Sequence, residues 1–171
     1  MLEILASAFA GLHIIGAAIG AGGALYAEIN YLKSLRGAPS DRLESQWFTI
    51  TFNTLAWGMF VVLLSSIALT LVQFFIPDGP QHVLGSALWM QHTLAFIIII
   101  AAWFLSRKAF PWWLGSSLVF SGWWMLFALD AWHTEPVPYL TLIFSYVILV
   151  FISGALWEYA RMLARERTFA V

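Results

Sequence analysis

The chain of 171 residues is 61% hydrophobic and 10% charged, with a formal net charge of −1 and a mean hydropathy of +0.83. These values exclude an ordinary soluble domain and indicate an all-α integral membrane protein that forms a single domain over residues 1–171. The chain has no cysteine, which excludes disulfides and thiolate metal ligands.

Apolar segments long enough to cross about 30 Å of hydrocarbon as helices recur five times along the chain. Each break between them contains glycine, proline or charged residues, which are typical of turns. Because the four connections are short, we expect consecutive helices to pack as antiparallel neighbours in one bundle. The predicted spans are 2–32, 46–76, 83–105, 111–132 and 137–160.

The basic residues predict the orientation. All eight fall at the first connection, at the third connection or in the C-terminal tail. If the chain crosses the membrane five times, these three regions lie on the same side. The positive-inside rule makes that side cytoplasmic. We therefore expect the N-terminus outside and the C-terminus inside, in the cytoplasmic membrane of a bacterium.

The first span contains His13 about 16 Å from its start, near the middle of the bilayer. An ionisable side chain at that depth is costly and is by default a candidate functional group. Gly16 and Gly20 share its helical face. This face of small residues can admit either a neighbouring helix or a flat ligand held by the histidine.

The third span contains His92 at a similar depth, on a helix expected to run parallel to the first. Two imidazoles at one level can serve as axial ligands of a b-type haem iron. The alternative is that each histidine only exchanges hydrogen bonds with Asn53, Gln91, Thr93 or a backbone carbonyl. The other residues expected around the haem are glycines and aromatic residues: Gly16, Gly20, Phe9, Trp89 and Phe96.

A second candidate site lies at the outer end of the bundle. Asp130 and His133 share a helical face, and loop residues such as His82 can approach them. Such nitrogen and oxygen ligands suit copper or zinc. The alternatives are a solvated acidic rim and, if haem is bound, a proton relay or a site for a quinone or redox partner.

At the inner ends, the spacing of Glu158 and Arg161 predicts an ordinary helical ion pair. We expect Glu28 to act with Asn30 at a helix end, and Arg161 to contact anionic lipid headgroups. The sequence places no acidic residue near the midplane, where a proton-driven transporter ordinarily carries one.

Two stretches resemble the HemJ-like and CopD-like membrane proteins. The first, Gly11-Leu12-His13-Ile14-Ile15-Gly16, is similar to their first span, and Leu88-Trp89-Met90-Gln91-His92-Thr93-Leu94 is similar to a later one. The HemJ-like resemblance implies b-type haem with His13 as a ligand and oxidation of protoporphyrinogen. The CopD-like resemblance implies copper handling on the periplasmic side. The basic residue that the HemJ-like group carries in the later span is absent here.

Together these patterns favour a membrane b-type cytochrome with haem between the first and third helices, working in electron transfer or porphyrin-linked redox chemistry. The expected partners are the lipid bilayer and a quinone, a redox protein or a larger membrane complex, with no nucleic acid. Two alternatives stay open. One is a cofactor-free accessory subunit of a respiratory or photosynthetic complex, and the other is copper handling at the outer face.

Overall fold

The computed structural model describes residues 1–35, 41–75, 85–131 and 137–168, with side chains from residue 49 in the second helix and up to residue 166 in the last. This part of the chain forms five α-helices: α1 Leu2–Ser34, α2 Asp41–Phe74, α3 Ser86–Ser106, α4 Trp112–Ala131 and α5 Tyr139–Thr168.

All five helices are long and apolar enough to cross a membrane, so the prediction of a helical membrane protein is confirmed at this level. Only a helix or a closed barrel satisfies its own backbone hydrogen bonds inside lipid, which explains why these apolar segments are helical throughout. The predicted ends lie within a few residues of the observed ones except at two places. The second helix begins at Asp41 rather than 46, and the last continues to Thr168 rather than 160.

The fourth helix, α4, is the centre of the bundle. It packs against α1, α3 and α5, while α2 packs mainly along α1. Within the described residues, α2 and α3 bring few residue pairs close together, so the expectation that all consecutive helices pack closely as neighbours does not hold for this pair. We call the gap between these two helices, which Phe52 of α2 and Ala102 of α3 border, the α2–α3 seam.

Small residues let α1 approach its neighbours closely, as is common between membrane helices. A side-chain carbon added at Gly16 would lie 3.0 Å from Val61 and Val62 of α2. One added at Gly20 would lie 2.0 Å from the Trp123 ring of α4. The glycine face predicted from the sequence is thus a contact face for two neighbouring helices.

The end of α3 has a Schellman-type cap. The Lys108 backbone has a positive φ of 54°, and the amides of Lys108 and Ala109 donate to the carbonyls of Leu105 and Phe104 at 3.0 Å each. These bonds satisfy carbonyls that the end of a helix leaves without partners. Pro111 follows, and α4 begins beyond it.

Candidate functional site

A group of polar side chains from four helices lies at one level of the bundle, and we call it the His13 cluster. His13 of α1 is only 3% exposed, and its Nδ1 lies 3.2 Å from Ser65 Oγ of α2. Its Nε2 lies 3.6 Å from Asp130 Oδ2 of α4. Gln91 of α3 donates from Nε2 to Asp130 Oδ1 at 2.5 Å. The buried face of α1 thereby connects to the other three helices through polar atoms.

The bonds of Ser65 identify the tautomer of His13. A serine hydroxyl has one hydrogen, and Ser65 Oγ lies 2.6 Å from the Val61 carbonyl, which can only accept. The Ser65 hydroxyl therefore donates to this carbonyl and accepts from His13 Nδ1. A neutral His13 then carries its lone pair on Nε2, which faces Asp130.

Two acceptors consequently face each other across 3.6 Å. Among the residues that the structure describes, neither His13 Nε2 nor Asp130 Oδ2 has a hydrogen-bond partner. A buried polar atom without a partner costs about 1–3 kcal/mol, and the proximity of two acceptors adds to that cost. A proton held by either group, or a donor bound between them, satisfies both atoms at once.

The structure corrects the placement of Asp130. We expected this residue in a solvated rim, in an outer metal site with His82 and His133 or, with haem bound, in a proton relay or a partner site. Its side chain is only 6% exposed and is directed at His13, which contradicts the solvated rim. His82 and His133 lie outside the described residues, and no group of three potential metal ligands occurs within the described part of the chain. Asp130 belongs to the His13 cluster because the end of α4 packs against the first half of α1.

His92 joins the same level of the bundle through the next residue of α2. Its Nδ1 lies 2.8 Å from the Leu88 carbonyl, and its Nε2 lies 3.2 Å from Ser66 Oγ. Because a carbonyl only accepts, Nδ1 carries the hydrogen and Nε2 accepts from the Ser66 hydroxyl. The two histidines thus contact adjacent serines, in agreement with the similar depth predicted from the sequence.

The surroundings of the two histidines differ from those expected for a haem between α1 and α3. Trp89 and Phe96 are 57% and 65% exposed, on a face of α3 that they share with His92 and that α1 does not cover. Gly16 and Gly20 are covered by side chains of α2 and α4. In this conformation no porphyrin can lie against the glycine face, and the Nε2 atoms of both histidines are directed at protein groups.

A second polar group lies at the opposite end of α1, and we call it the Arg161 cluster. Arg161 of α5 is only 1% exposed. It donates from Nη2 to Glu28 Oε2 at 2.7 Å and to Ser116 Oγ at 2.9 Å. From Nη1 it donates to Glu158 Oε1 at 2.7 Å, as the spacing predicted. The expectation that Arg161 contacts lipid headgroups is wrong, because α1 and α4 enclose its guanidinium.

Sequence reasoning missed Ser65, Ser66 and Ser116, and it did not pair Gln91 with Asp130. One usable signal was present, since Ser65 and Ser66 are consecutive hydroxyls within a long apolar span. Serine also bonds readily to its own helix backbone, so this signal did not single out either residue. Their partners depend on the rotation of α2 about its axis, which packing determines.

Comparison with known proteins found no matching family model, no similar curated protein and no similar solved structure. The likeness to HemJ-like and CopD-like proteins therefore rests on the two sequence stretches alone.

Proposed function

We propose that this protein handles protons within the membrane, and that His13 and Asp130 form its proton-exchange site. The 3.6 Å approach of His13 Nε2 to Asp130 Oδ2 carries this proposal. Both groups can bind and release a proton, and both are enclosed by the bundle. Chains of histidine and carboxylate groups inside membranes commonly act as proton relays.

The neighbouring residues support exchange rather than a permanent ion pair. Ser65 orients the imidazole through Nδ1, and Gln91 holds the other carboxylate oxygen. Each group therefore keeps one atom directed at the shared proton position. A proton that moves between His13 and Asp130 changes the charge on each without changing these supporting bonds.

We propose that the helices alternate in direction, with the N-terminus outside and the C-terminus inside, in the cytoplasmic membrane of a bacterium. The support is the position of all eight basic residues. The His13 cluster then lies in the outer half of the membrane, so its proton exchanges with the outer aqueous phase as part of a transport or redox reaction.

Infrared difference spectroscopy of the protein in lipid vesicles tests the site. We expect the carbonyl band of a protonated carboxylic acid to change as the pH is varied, because a carboxyl group that exchanges a proton is protonated in one of its two states. The band should be lost in Asp130→Asn and altered in His13→Gln. It should be unchanged in Glu3→Gln, a control at an exposed carboxylate. A folded Asp130→Asn protein with an unchanged spectrum would refute the proposal.

The b-type haem predicted from the sequence is the second candidate function. One observation favours it, because His13 and His92 both bond through Nδ1 and so direct the Nε2 lone pair away from the backbone. Histidines that bind metals through Nε2 are commonly held in this way. Ligation would require His13 to leave Asp130 and His92 to leave Ser66, so haem and the proton site make opposing demands on His13.

A further inference from the structure

A cavity of about 370 Å³ lies at the level of the Arg161 cluster, separate from the His13 cluster. Four helices form its walls, and its lining is mostly apolar. The aromatic residues Phe52, Trp112 and Phe120 contribute to it. Its volume and lining are typical of a site for a small lipophilic molecule between the helices of a bundle.

The cavity opens along the α2–α3 seam. Phe52 of α2 and Ala102 of α3 both line it and both remain exposed. Toward the other end of the seam, the bond between Ser66 and His92 links α2 to α3. A molecule dissolved in the bilayer can therefore enter sideways, past Phe52 and Ala102, without crossing water.

One wall of the cavity is polar. Glu28 and Ser116 line it, although each is less than 10% exposed. Glu28 accepts a hydrogen bond from Arg161 through Oε2, and a carboxylate has about four acceptor sites in all. Glu28 can therefore accept a further hydrogen bond from a ligand that donates one.

The charges of the Arg161 cluster select against an anionic ligand. The Arg161 charge is already balanced by Glu28 and Glu158, both at 2.7 Å. Within the Arg161 cluster, no unbalanced positive charge remains for a phosphate or carboxylate headgroup. Glu158 is 49% exposed on its side chain and so is screened by its surroundings, which leaves the buried Arg161 and Glu28 as a neutral pair.

We infer that this cavity binds a neutral, membrane-soluble molecule with a phenolic or hydroquinone head, whose hydroxyl donates to Glu28 and whose ring packs among the aromatic residues. The apolar tail of the ligand extends through the α2–α3 seam into the bilayer. This inference does not depend on the proton site, since it uses none of the residues of the His13 cluster.

Binding to the full-length protein in lipid nanodiscs tests the inference. The probes are decylhydroquinone kept reduced under argon, its dimethyl ether and decyltrimethylammonium, which share a tail and differ in the head. We expect decylhydroquinone to bind about tenfold more tightly than the ether. This is about the ratio of dissociation constants that results when one hydrogen bond to a charged group is lost. Equal binding of the ether, or tighter binding of the cation, would overturn the inference.

A matched pair of variants locates the site. Ala102→Phe fills the mouth of the cavity and should weaken decylhydroquinone binding at least about tenfold. Ala155→Phe makes the same change at an exposed position of α5 outside the cavity and should leave binding unchanged. Equal binding to both variants would refute this location. If Ala102→Phe does not fold, the comparison of hydroquinone with ether on the unaltered protein still decides the question.

Discussion

Arg161 Nη2 and Glu28 Oε2 lie 2.7 Å apart although 133 positions separate the residues in the chain. The bond joins the first helix to the last and is buried on both sides. The Arg161 guanidinium also lies 5.1 Å from the ring centroid of Tyr31, which stacks on Trp112 at 5.0 Å. At this end of the bundle, a single buried cation on α5 therefore holds α1, α4 and α5 together.

Replacing Arg161 should strongly destabilise the protein. Arg161→Met leaves Glu28 as a buried carboxylate without its cation, a change that typically costs about 3–5 kcal/mol. We expect a large drop in the midpoint of thermal unfolding in detergent. The double variant Arg161→Met with Glu28→Gln should regain much of the loss, because no buried charge is left unpaired.

Arg165→Met serves as the control for Arg161, since Arg165 is exposed on the same helix. It should change the unfolding midpoint little, because exposed ion pairs contribute about 0–1 kcal/mol. Equal effects of the two single replacements would contradict the structural role assigned to Arg161.

Two glycines of α1 should respond in opposite directions to the same substitution. Gly20→Ala places a methyl group 2.0 Å from the Trp123 ring, and overpacking of this kind costs about 1–3 kcal/mol. Gly22→Ala meets nothing within 4 Å and should stabilise the helix by up to about 1 kcal/mol. Unfolding midpoints of the two variants measure the difference, and a Gly20→Ala protein as stable as Gly22→Ala would argue against the packing of α1 on α4.

The orientation can be tested with single cysteines, because the chain has none of its own. We expect Glu3→Cys to react with a membrane-impermeant maleimide in intact bacterial cells. Arg165→Cys and Lys108→Cys should react only after the cells are permeabilised. Labelling of Arg165→Cys in intact cells would place the C-terminus outside and reverse the proposed orientation.

An absorption spectrum separates the two candidate functions. If His13 and His92 bind haem, the purified protein should show a reduced-minus-oxidised difference spectrum that is lost in His13→Ala and His92→Ala. Asp130→Asn should preserve it, since Asp130 would not be a ligand. A colourless protein from cells with ample haem would leave the proton site as the supported function.

The sequence predicted the five helices because their chemistry is local. An apolar stretch of about 20 residues must satisfy its backbone internally in lipid, whatever its neighbours are. The depth of a residue also follows from its position along one helix, which is why His13 and His92 were correctly expected at similar levels. The expectation of a solvated Asp130 was wrong because its position near the end of α4 did not show that α1 would cover it.

By itself, then, the sequence determined that this is a helical membrane protein and that His13 and His92 lie inside its spans, since length and hydropathy are properties of single segments. Only the tertiary structure decided that His13 faces Asp130, that Arg161 faces Glu28 and that α2 and α3 border a cavity. These pairings depend on how each helix is rotated about its axis and which neighbour it packs against. Contacts between small residues that are distant in the chain determine both the rotation of a helix and its choice of neighbour. No single segment of the sequence encodes those contacts.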